Sequence, residues 1–245
     1  MLTDYDPIAQ QYKRSKLQPW RAHIESYTLF ALVGDPAGQM VVDVACGEGF
    51  YTRLLRQRGA SRVIGVDRSP GMIELARAQE GERPLGIAYI VDDVKDLELD
   101  EQCELVTAAY LLNYATDRND LAHMCRGIAR SLKPGGRFVT VNSNPALDFR
   151  EAPSYRQYGF ETQAGEPWCE GAPINWTFFL EDGSFEIENY YLSRETHEEV
   201  FRAAGFRDVR WHEPRVAPDG RGNYGKEFWR TFLEQPPITF IECLK

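Results

Sequence analysis

The sequence predicts an open α/β fold in which a mostly parallel, doubly wound sheet carries helices on both faces. Between residues 40 and 142, short apolar runs alternate with helical stretches, which is the pattern of βαβ units. The runs are apolar almost throughout, as strands buried on both faces are. With 245 residues, the chain is long enough for a sizeable core. We therefore expect one domain over residues 1–245 that carries an insertion.

Five apolar runs are predicted to form the first strands of this sheet. They are MVVDVA (40–45), RVIGV (62–66), IAYIV (87–91), LVTAAY (105–110) and RFVTVN (137–142). Three helices between them are predicted to begin at Gly49, at Ser69 and near Asp117, and the last two begin with a side-chain cap. Because proline and glycine interrupt helices, we expect LKPGG (132–136) to end the third of these helices.

Two helices are predicted before the first strand. The pair Asp6 and Pro7 is typical of a helix start, which PIAQQYKR would continue, and a second helix is expected from Trp20 to about Val33. We interpret residues 1–33 as an N-terminal helical lid.

Residues 144–191 interrupt the strand and helix alternation. Much of this segment is rich in Pro, Gly and aromatic residues without clear periodicity. INWTFFL and SFEIENYYL, joined through Asp182-Gly183, predict a β-hairpin. We expect a mostly irregular and β insertion that caps the sheet, followed by a helix (193–206), a strand (208–213), a polar loop and a terminal strand (239–244).

The composition argues against several kinds of partner. The formal net charge is −9, from 37 acidic and 28 basic residues, and no basic run could follow a phosphate backbone. The five scattered cysteines and four unpaired histidines predict neither a disulfide framework nor a metal site. No secretory signal is evident, and no apolar stretch approaches the ~20 residues of a membrane span. We expect a soluble cytoplasmic protein, monomeric or homodimeric, that binds neither nucleic acid nor membrane.

The segment VVDVACGEGFYTRLL (41–55) predicts a ligand site. In an open parallel sheet, ligands lie beyond the carboxyl ends of the strands, where the turn after the first strand is placed. Gly47 and Gly49 allow a close backbone approach, and the following helix presents free N–H groups to an anionic group. A dinucleotide and S-adenosylmethionine (SAM) both remain possible at this point.

Two features favour SAM. The turn reads GEGFYT, so it lacks the third glycine of a dinucleotide fingerprint, and Glu48 would stand near a pyrophosphate. The negative charges of Asp43 and Glu48 suit a ligand that carries two positive groups, a sulfonium and an ammonium. Asp67, at the end of the second strand, can accept hydrogen bonds from ribose hydroxyls, which supports an adenosine ligand but does not distinguish SAM from NAD. Asp92 and Asp93 follow the third strand, where a carboxylate can accept a hydrogen bond from an adenine amine.

These residues resemble the class I SAM-dependent methyltransferase family. The motifs that carry the resemblance are DVACGEG, GVDRSPGMIELAR, VDDVKDL, LKPGG and AAGFRDV, in this order, and it covers roughly residues 5–142 and 193–244. The resemblance implies a Rossmann-like, seven-stranded doubly wound sheet, SAM as cofactor and S-adenosylhomocysteine (SAH) as product.

The resemblance also implies roles for individual residues. Gly47 and Gly49 would flank the methionine part of SAM, near Ala45, which stands at the family's usual first glycine. The other implied cofactor residues are Tyr12 as a lid, Asp43 for the amino group, Asp67 for the ribose, Arg68 and Met72 over the adenine, Asp93 and the backbone of Val94 for its amine, and Tyr110.

The acceptor of the methyl group is expected past the fourth strand, in YLLNYATD. Asn113 can donate and accept hydrogen bonds, and Tyr114 can stack on a flat ring. Further candidates are Trp20, Asn144, Tyr155, Trp168 and Trp176, although each cap aromatic taken alone is more often core packing. No catalytic base is assigned, because methyl transfer from a sulfonium mainly requires alignment.

The aromatic cap favours a small, planar heteroaromatic acceptor. In length the chain also resembles azapteridine N-methyltransferases, which implies a natural-product precursor methylated on a ring nitrogen. The segment YLLNYATD also lacks the N-P-P-Y pattern, which the resemblance would associate with methylation of nucleobase or peptide amides. Three alternatives stay open: a small-molecule O-methyltransferase, an NAD-dependent oxidoreductase, and a SAM-binding module without catalysis. Binding of NADH, or of SAM without an acceptor pocket, would favour the last two.

Overall fold

The computed structural model describes residues 9–99 and 102–245, which form two sheets and seven α-helices. The strands are β1 (Met40–Val44), β2 (Arg62–Asp67), β3 (Ala88–Val91), β4 (Cys103–Ala109), β5 (Leu132–Ser143), β6 (Phe160–Ala164), β7 (Pro173–Leu180), β8 (Gly183–Tyr190), β9 (Arg207–His212) and β10 (Ile238–Leu244). The helices are α1 (Ala9–Ser15), α2 (Tyr27–Val33), α3 (Phe50–Gln57), α4 (Pro70–Glu82), α5 (Arg118–Ser131), α6 (Arg194–Ala203) and α7 (Pro218–Glu234).

The main sheet has seven strands, the number that the resemblance implies, and their order is β3-β2-β1-β4-β5-β10-β9. Strands β1 to β5 are parallel, and β10 runs antiparallel to both of its neighbours. Every residue of β1 is buried, as expected for a strand covered on both faces. The strand order reverses between β1 and β4, which creates a crevice at their carboxyl ends.

The predicted helix starts around the sheet are confirmed. Gly49 precedes α3, Ser69 caps α4 by accepting from the Met72 N–H, and Asp117 caps α5 by accepting from the Asp120 N–H. Each cap satisfies a backbone donor that the first helical turn leaves free. These helix starts lie in the turns that follow β1, β2 and β4, so they position the residues at the carboxyl edge of the sheet.

The predicted second helix is present, but its first part is π-helical. Residues Arg21–Ser26 form a π-helical segment that continues directly into α2. Such segments are uncommon and often occur near functional sites. Here it buries Arg21, Ile24 and Glu25. The predicted start at Asp6 and Pro7 lies outside the described residues.

The insertion is more regular than the sequence suggests. The predicted hairpin is confirmed as β7 and β8, but Leu180 pairs with Gly183, so Glu181 and Asp182 form the turn instead of Asp182-Gly183. A third strand, β6, pairs antiparallel with β7, and the interpretation of this stretch as irregular was wrong. Phe160, at the start of β6, is fully buried, and this burial stabilises a strand that the local sequence pattern does not predict.

The predicted end of α5 at LKPGG is confirmed, because the helix ends at Ser131 and Leu132 is its C-cap. LKPGG also begins β5: Leu132 pairs with Cys103, after which the register shifts to Arg137 opposite Leu105. Its Pro and Gly residues thus lie in a bulge. The polar loop before the last strand is in fact α7, kinked at Gly225. Burial of its aromatic side chains outweighs the poor helix propensity of its glycines.

The described residues contain no helix that combines the length and apolarity needed to cross a membrane. All five cysteines are free thiols, and only Cys169 is exposed. Cys46, beneath the glycine turn, is buried, and burial raises the pKa of its thiol well above the ordinary value. It therefore packs as a small neutral side chain, as the sequence suggests.

Candidate active site

A cleft of about 790 Å³ lies at the carboxyl ends of β1, β2 and β4. Its lining includes four carboxylates and two cationic side chains, which makes it acidic. The lining residues are Tyr12, Ala45, Gly47, Val66, Asp67, Arg68, Met72, Asp92, Asp93, Val94, Lys95, Ala109, Tyr110, Leu111, Tyr114, Asp120 and Met124. Nine of the eleven predicted cofactor residues are among them; Asp43 and Gly49 are not.

The turn after β1 shapes the floor of this cleft. Ala45 and Gly47 have φ values of 54° and 56°, a region in which glycine is favoured and alanine is strained. A Cβ at Gly47 would point into the space between Tyr12 and Met72, 3.9 Å from Cε1 and 4.0 Å from Sδ. Glycine at this position therefore keeps the floor open for a ligand.

Gly49 serves a different purpose from the one expected. Its φ is 85°, and a Cβ there would lie 2.4 Å from the hydroxyl oxygen of Tyr89. A Cβ would force the Tyr89 ring to shift, so glycine at this position allows the turn to pack closely on β3. Gly49 directly precedes the first residue of α3 and is not among the residues that line the cleft.

Asp67 lies where β2 ends and holds two turns together. One carboxylate oxygen accepts the Gly47 N–H at 2.8 Å, and the other accepts the Ser69 N–H at 2.9 Å. The carboxylate thus joins the turn after β1 to the start of α4 while it lines the cleft. Asp93, after β3, similarly accepts the Lys95 N–H at 2.9 Å.

Asp43 is buried behind the glycine turn. Its carboxyl oxygens accept hydrogen bonds from Thr52 Oγ1 at 2.6 Å and Thr107 Oγ1 at 2.8 Å. Burial raises the pKa of Asp43 to about 6, and the two hydroxyls only partly offset it. Asp43 and Lys16 line a small cavity next to Gly47, so a cation entering there would favour the ionised carboxylate.

The raised pKa of Asp43 predicts a pH dependence of stability. Because the folded protein favours the neutral carboxyl, this group stabilises the fold fully below pH ~4, and the contribution is lost as the pH rises through about 6. We expect Asp43→Asn, which stays neutral, to gain up to about 3 kcal/mol relative to the wild type between pH 4 and 7.5. Urea unfolding of both proteins across this range measures the difference, and a constant difference would contradict the assignment.

A buried ionic cluster that was not predicted from the sequence adjoins the cleft. Glu25 is fully buried and accepts hydrogen bonds from Arg21 at 2.5 Å, from the Tyr51 hydroxyl and from the Tyr110 hydroxyl. Lys16 Nζ lies 3.7 Å from the same carboxylate. The only sequence signal was the i, i+4 spacing of Arg21 and Glu25, which is also common on exposed helix faces.

Burial alone would raise the pKa of Glu25, but Arg21 and Lys16 together with the two tyrosine hydroxyls outweigh it, so the pKa lies below its ordinary value. Glu25 is therefore ionised. Tyr110 completes the cluster from the end of β4 with a φ of 66°, a strained value for a tyrosine. The cluster connects the N-terminal helices to the floor of the cleft.

A second, smaller cavity of about 300 Å³ lies beside the cleft. It shares Tyr12, Tyr110 and Tyr114 with the cleft, so the two spaces are neighbours. Its full lining is Tyr12, Trp20, Arg21, Tyr110, Tyr114, Trp176, Phe178, Ile187 and Asn189. Three of the seven predicted acceptor residues, Trp20, Tyr114 and Trp176, are therefore brought together here.

The remaining acceptor candidates lie elsewhere. Asn113 is buried next to Tyr114 but lines neither space. Asn144 donates to the Pro236 carbonyl at 2.9 Å and belongs to a separate cleft near β9. Tyr155 packs in the core, and its hydroxyl donates a hydrogen bond to the Gln235 carbonyl at 2.6 Å. Trp168 packs on Tyr191 with ring centroids 4.5 Å apart.

Comparison with known proteins agrees with this geometry. A family profile described as a methyltransferase domain matches residues 41–136. The N-demethylindolmycin N-methyltransferase of Streptomyces griseus is 27% identical over 172 residues, which cover 69% of this chain and 70% of that protein. The ubiquinone biosynthesis O-methyltransferase of Pseudomonas fluorescens strain SBW25 is 33% identical over 113 residues, which cover 44% of this chain and 47% of that protein.

Solved structures show the same fold. A SAM-dependent methyltransferase from Mesorhizobium loti has a TM-score of 0.65 at 20% identity, covering 94% of this chain and all of that one. A DhpI–SAH complex has a TM-score of 0.60 at 20% identity, covering 98% and 92%. Together with the methyltransferase-domain profile and the methyltransferase relatives, this fold indicates a SAM-dependent methyltransferase whose cofactor is SAM. The oxidoreductase alternative is thereby set aside.

Proposed function

We propose that this enzyme transfers the methyl group of SAM to a ring nitrogen of a small heteroaromatic acceptor, such as an azapteridine of the toxoflavin type. The observation that carries the proposal is the second cavity, which is small, lined mainly by aromatic side chains and adjacent to the cofactor cleft. Its volume lies at the lower end of the range for ligand pockets, which suits one or two fused rings. The N-methyltransferase from Streptomyces griseus among the relatives supports nitrogen as the acceptor atom.

The cleft fits SAM through the chemistry of its donors and charges. Asp67 would hold the ribose hydroxyls, and Asp93 with the backbone of Val94 would bind the adenine amine, with Arg68 and Met72 beside the ring. Gly47 leaves room for the methionine part between Tyr12 and Met72. The excess of carboxylates around the cleft suits a ligand with net positive charge.

The remaining functional groups align the reactants. When bound, SAM supplies an activated methyl group on its sulfonium. Tyr12, Tyr110 and Tyr114 stand between the two spaces and would orient the acceptor ring towards the cleft. The N-terminal helices within residues 9–33 and the cap of residues 144–191 would cover both spaces and exclude water. The protein contributes mainly proximity and alignment, so no residue is assigned as a base.

Methylation of a phenolic oxygen is the second candidate function. It is supported by the ubiquinone biosynthesis O-methyltransferases among the relatives, although those matches cover less than half of either chain. A pair of heteroaromatic acceptors that carry either a ring N–H or a hydroxyl group distinguishes the two. Mass spectrometry shows which acceptor gains one methyl group, and NMR of the product shows whether the methyl group is on nitrogen or on oxygen.

Calorimetric titration with SAM, SAH and NADH tests the cofactor part of the proposal. We expect micromolar binding of SAM and SAH and no binding of NADH. An acceptor screen by mass gain then follows with heteroaromatic compounds. Binding of NADH alone would refute the proposal at its first step.

Asp67→Ala is expected to weaken SAM binding by about 1–3 kcal/mol, the scale of lost charged hydrogen bonds. Asp35→Ala is a matched control, because Asp35 also accepts the backbone N–H two residues further on, at 2.9 Å, but lies far from the cleft at an exposed turn. Calorimetry should show a loss only for Asp67→Ala. Equal affinities in the two variants would remove Asp67 from the ribose role.

A further inference from the structure

Arg21 lines the second cavity and carries an unsatisfied cationic donor. The side chain is 2% exposed, and its Nη1 binds Glu25 at 2.5 Å. Its Nε has no hydrogen-bond partner within the described part of the chain. The guanidinium carbon lies 4.2 Å from the ring centroid of Trp20 and 5.4 Å from that of Phe178. Trp20 and Phe178, which also line the cavity, therefore hold the Arg21 guanidinium in place.

Trp176 lines the same cavity and carries a second unsatisfied donor. It is 3% exposed, and its Nε1 is buried without a partner in residues 9–99 and 102–245. Its ring stacks on Phe160 with centroids 5.3 Å apart, so its position is fixed by the cap sheet. A buried donor without a partner costs about 1–3 kcal/mol, and native structures keep few of them. Two such donors in the lining of one small cavity point to a ligand.

The charge around this cavity favours an anionic group. Arg21 and Lys16 supply two positive charges, whereas Glu25 supplies one negative charge. Burial raises the pKa of Tyr51 and of Tyr110 well above the ordinary value, so both phenols stay neutral. Within the lining of the second cavity itself, Arg21 is the one charged residue, so the positive charge at this wall comes from its guanidinium.

We propose that the acceptor is a planar aromatic molecule carrying an anionic oxygen, such as a carboxylate or the oxygen of a deprotonated lactam, that accepts hydrogen bonds from Arg21 Nε and Trp176 Nε1. The ring then lies among the aromatic side chains of the cavity. This inference rests on the proposed function and specifies its substrate class. It also assigns Arg21 and Trp176 as the residues that select the acceptor by charge.

Paired probes that differ only in charge test this inference. Calorimetry of the SAH complex with 2-naphthoate and 2-naphthamide, and with benzoate and benzamide, compares an anion with its neutral isostere. We expect the anion of at least one pair to bind at least tenfold more tightly than its amide. Equal or tighter binding of the amides, or no binding by any probe, would overturn the inference.

Two tryptophan variants localise the effect. Trp176→Phe keeps an aromatic ring and removes only the Nε1 donor, so we expect roughly a tenfold loss of affinity for the anion and unchanged affinity for SAH. Trp168→Phe is the matched control, since Trp168 also belongs to the cap but does not line the cavity. An equal loss in both variants would overturn the assignment. Arg21→Lys, whose ammonium retains the charge but not the Nε–H, should weaken anion binding as well.

The outcome separates this inference from the proposed function. If SAH does not bind the wild-type protein, the cofactor part of the proposed function itself fails. If SAH binds, whereas anions bind no better than amides, only the anionic character of the acceptor is refuted. The acceptor screen by mass gain then continues with neutral rings.

Discussion

Glu25→Gln is expected to destabilise the protein by about 3–5 kcal/mol, the largest effect that we predict. The substitution removes the only buried carboxylate that Arg21 and Lys16 share among the described residues. Breaking a buried ion pair by removing one partner leaves an uncompensated buried charge, whose cost has this magnitude. Because Tyr110 also bonds this carboxylate, the end of β4 should loosen as well. Urea unfolding at pH 7 measures the loss.

Glu199→Gln is the matched control for this prediction. Glu199 also pairs with an arginine, Arg118, but both side chains are more than half exposed. Exposed pairs contribute about 0–1 kcal/mol, so we expect little change. A loss below about 1 kcal/mol in Glu25→Gln would show that the cluster does not stabilise the N-terminal helices as inferred.

Gly127→Ala is expected to destabilise the protein by about 3 kcal/mol, at the upper end of the cost of overpacking. Helix propensity alone predicts the opposite, since alanine is favoured over glycine inside a helix by about 1 kcal/mol. A Cβ at this position would lie 1.8 Å from the carbonyl oxygen of Val94, an impossible contact with backbone. The loop that would bind adenine must therefore shift away from α5.

Gly81→Ala provides the contrast. Gly81 lies near the end of α4, is exposed, and a Cβ there would meet nothing within 4 Å. We expect it to be neutral or stabilising by up to about 1 kcal/mol. Calorimetry should show weaker SAH binding in Gly127→Ala and unchanged binding in Gly81→Ala. Similar stability of the two variants would refute the close packing of α5 on Val94.

The acceptor side of the site was harder to predict than the cofactor side. The positions of Gly47, Asp67 and Asp93 follow from strand ends, because consecutive parallel strands place their carboxyl ends along one edge. Asn144 also follows a strand, β5, yet its amide is committed to the Pro236 carbonyl and it faces another cleft. Nothing in the local sequence distinguishes these cases, since the packing of the chain after the strand decides the direction of the side chain.

The sequence alone determined the alternation of strands and helices, the helix starts at Gly49, Ser69 and Asp117, and the acidic character of the strand ends. These features depend on local chemistry: apolar runs bury, short polar side chains cap, and a carboxylate at a parallel strand end lies at the ligand edge. They sufficed to predict the fold class and, together with the family resemblance, the SAM cofactor.

The tertiary structure decided what depends on residues distant in sequence. Glu25 becomes part of the site only because Tyr110, Tyr51 and Lys16 converge on it from separate elements. Strand β6 and helix α7 form because burial of Phe160, Trp229 and Phe232 outweighs weak local propensities. Burial and charge pairing are sums over neighbours in space, so no window of sequence contains them, and the acceptor cavity between Arg21 and Trp176 arises in the same way.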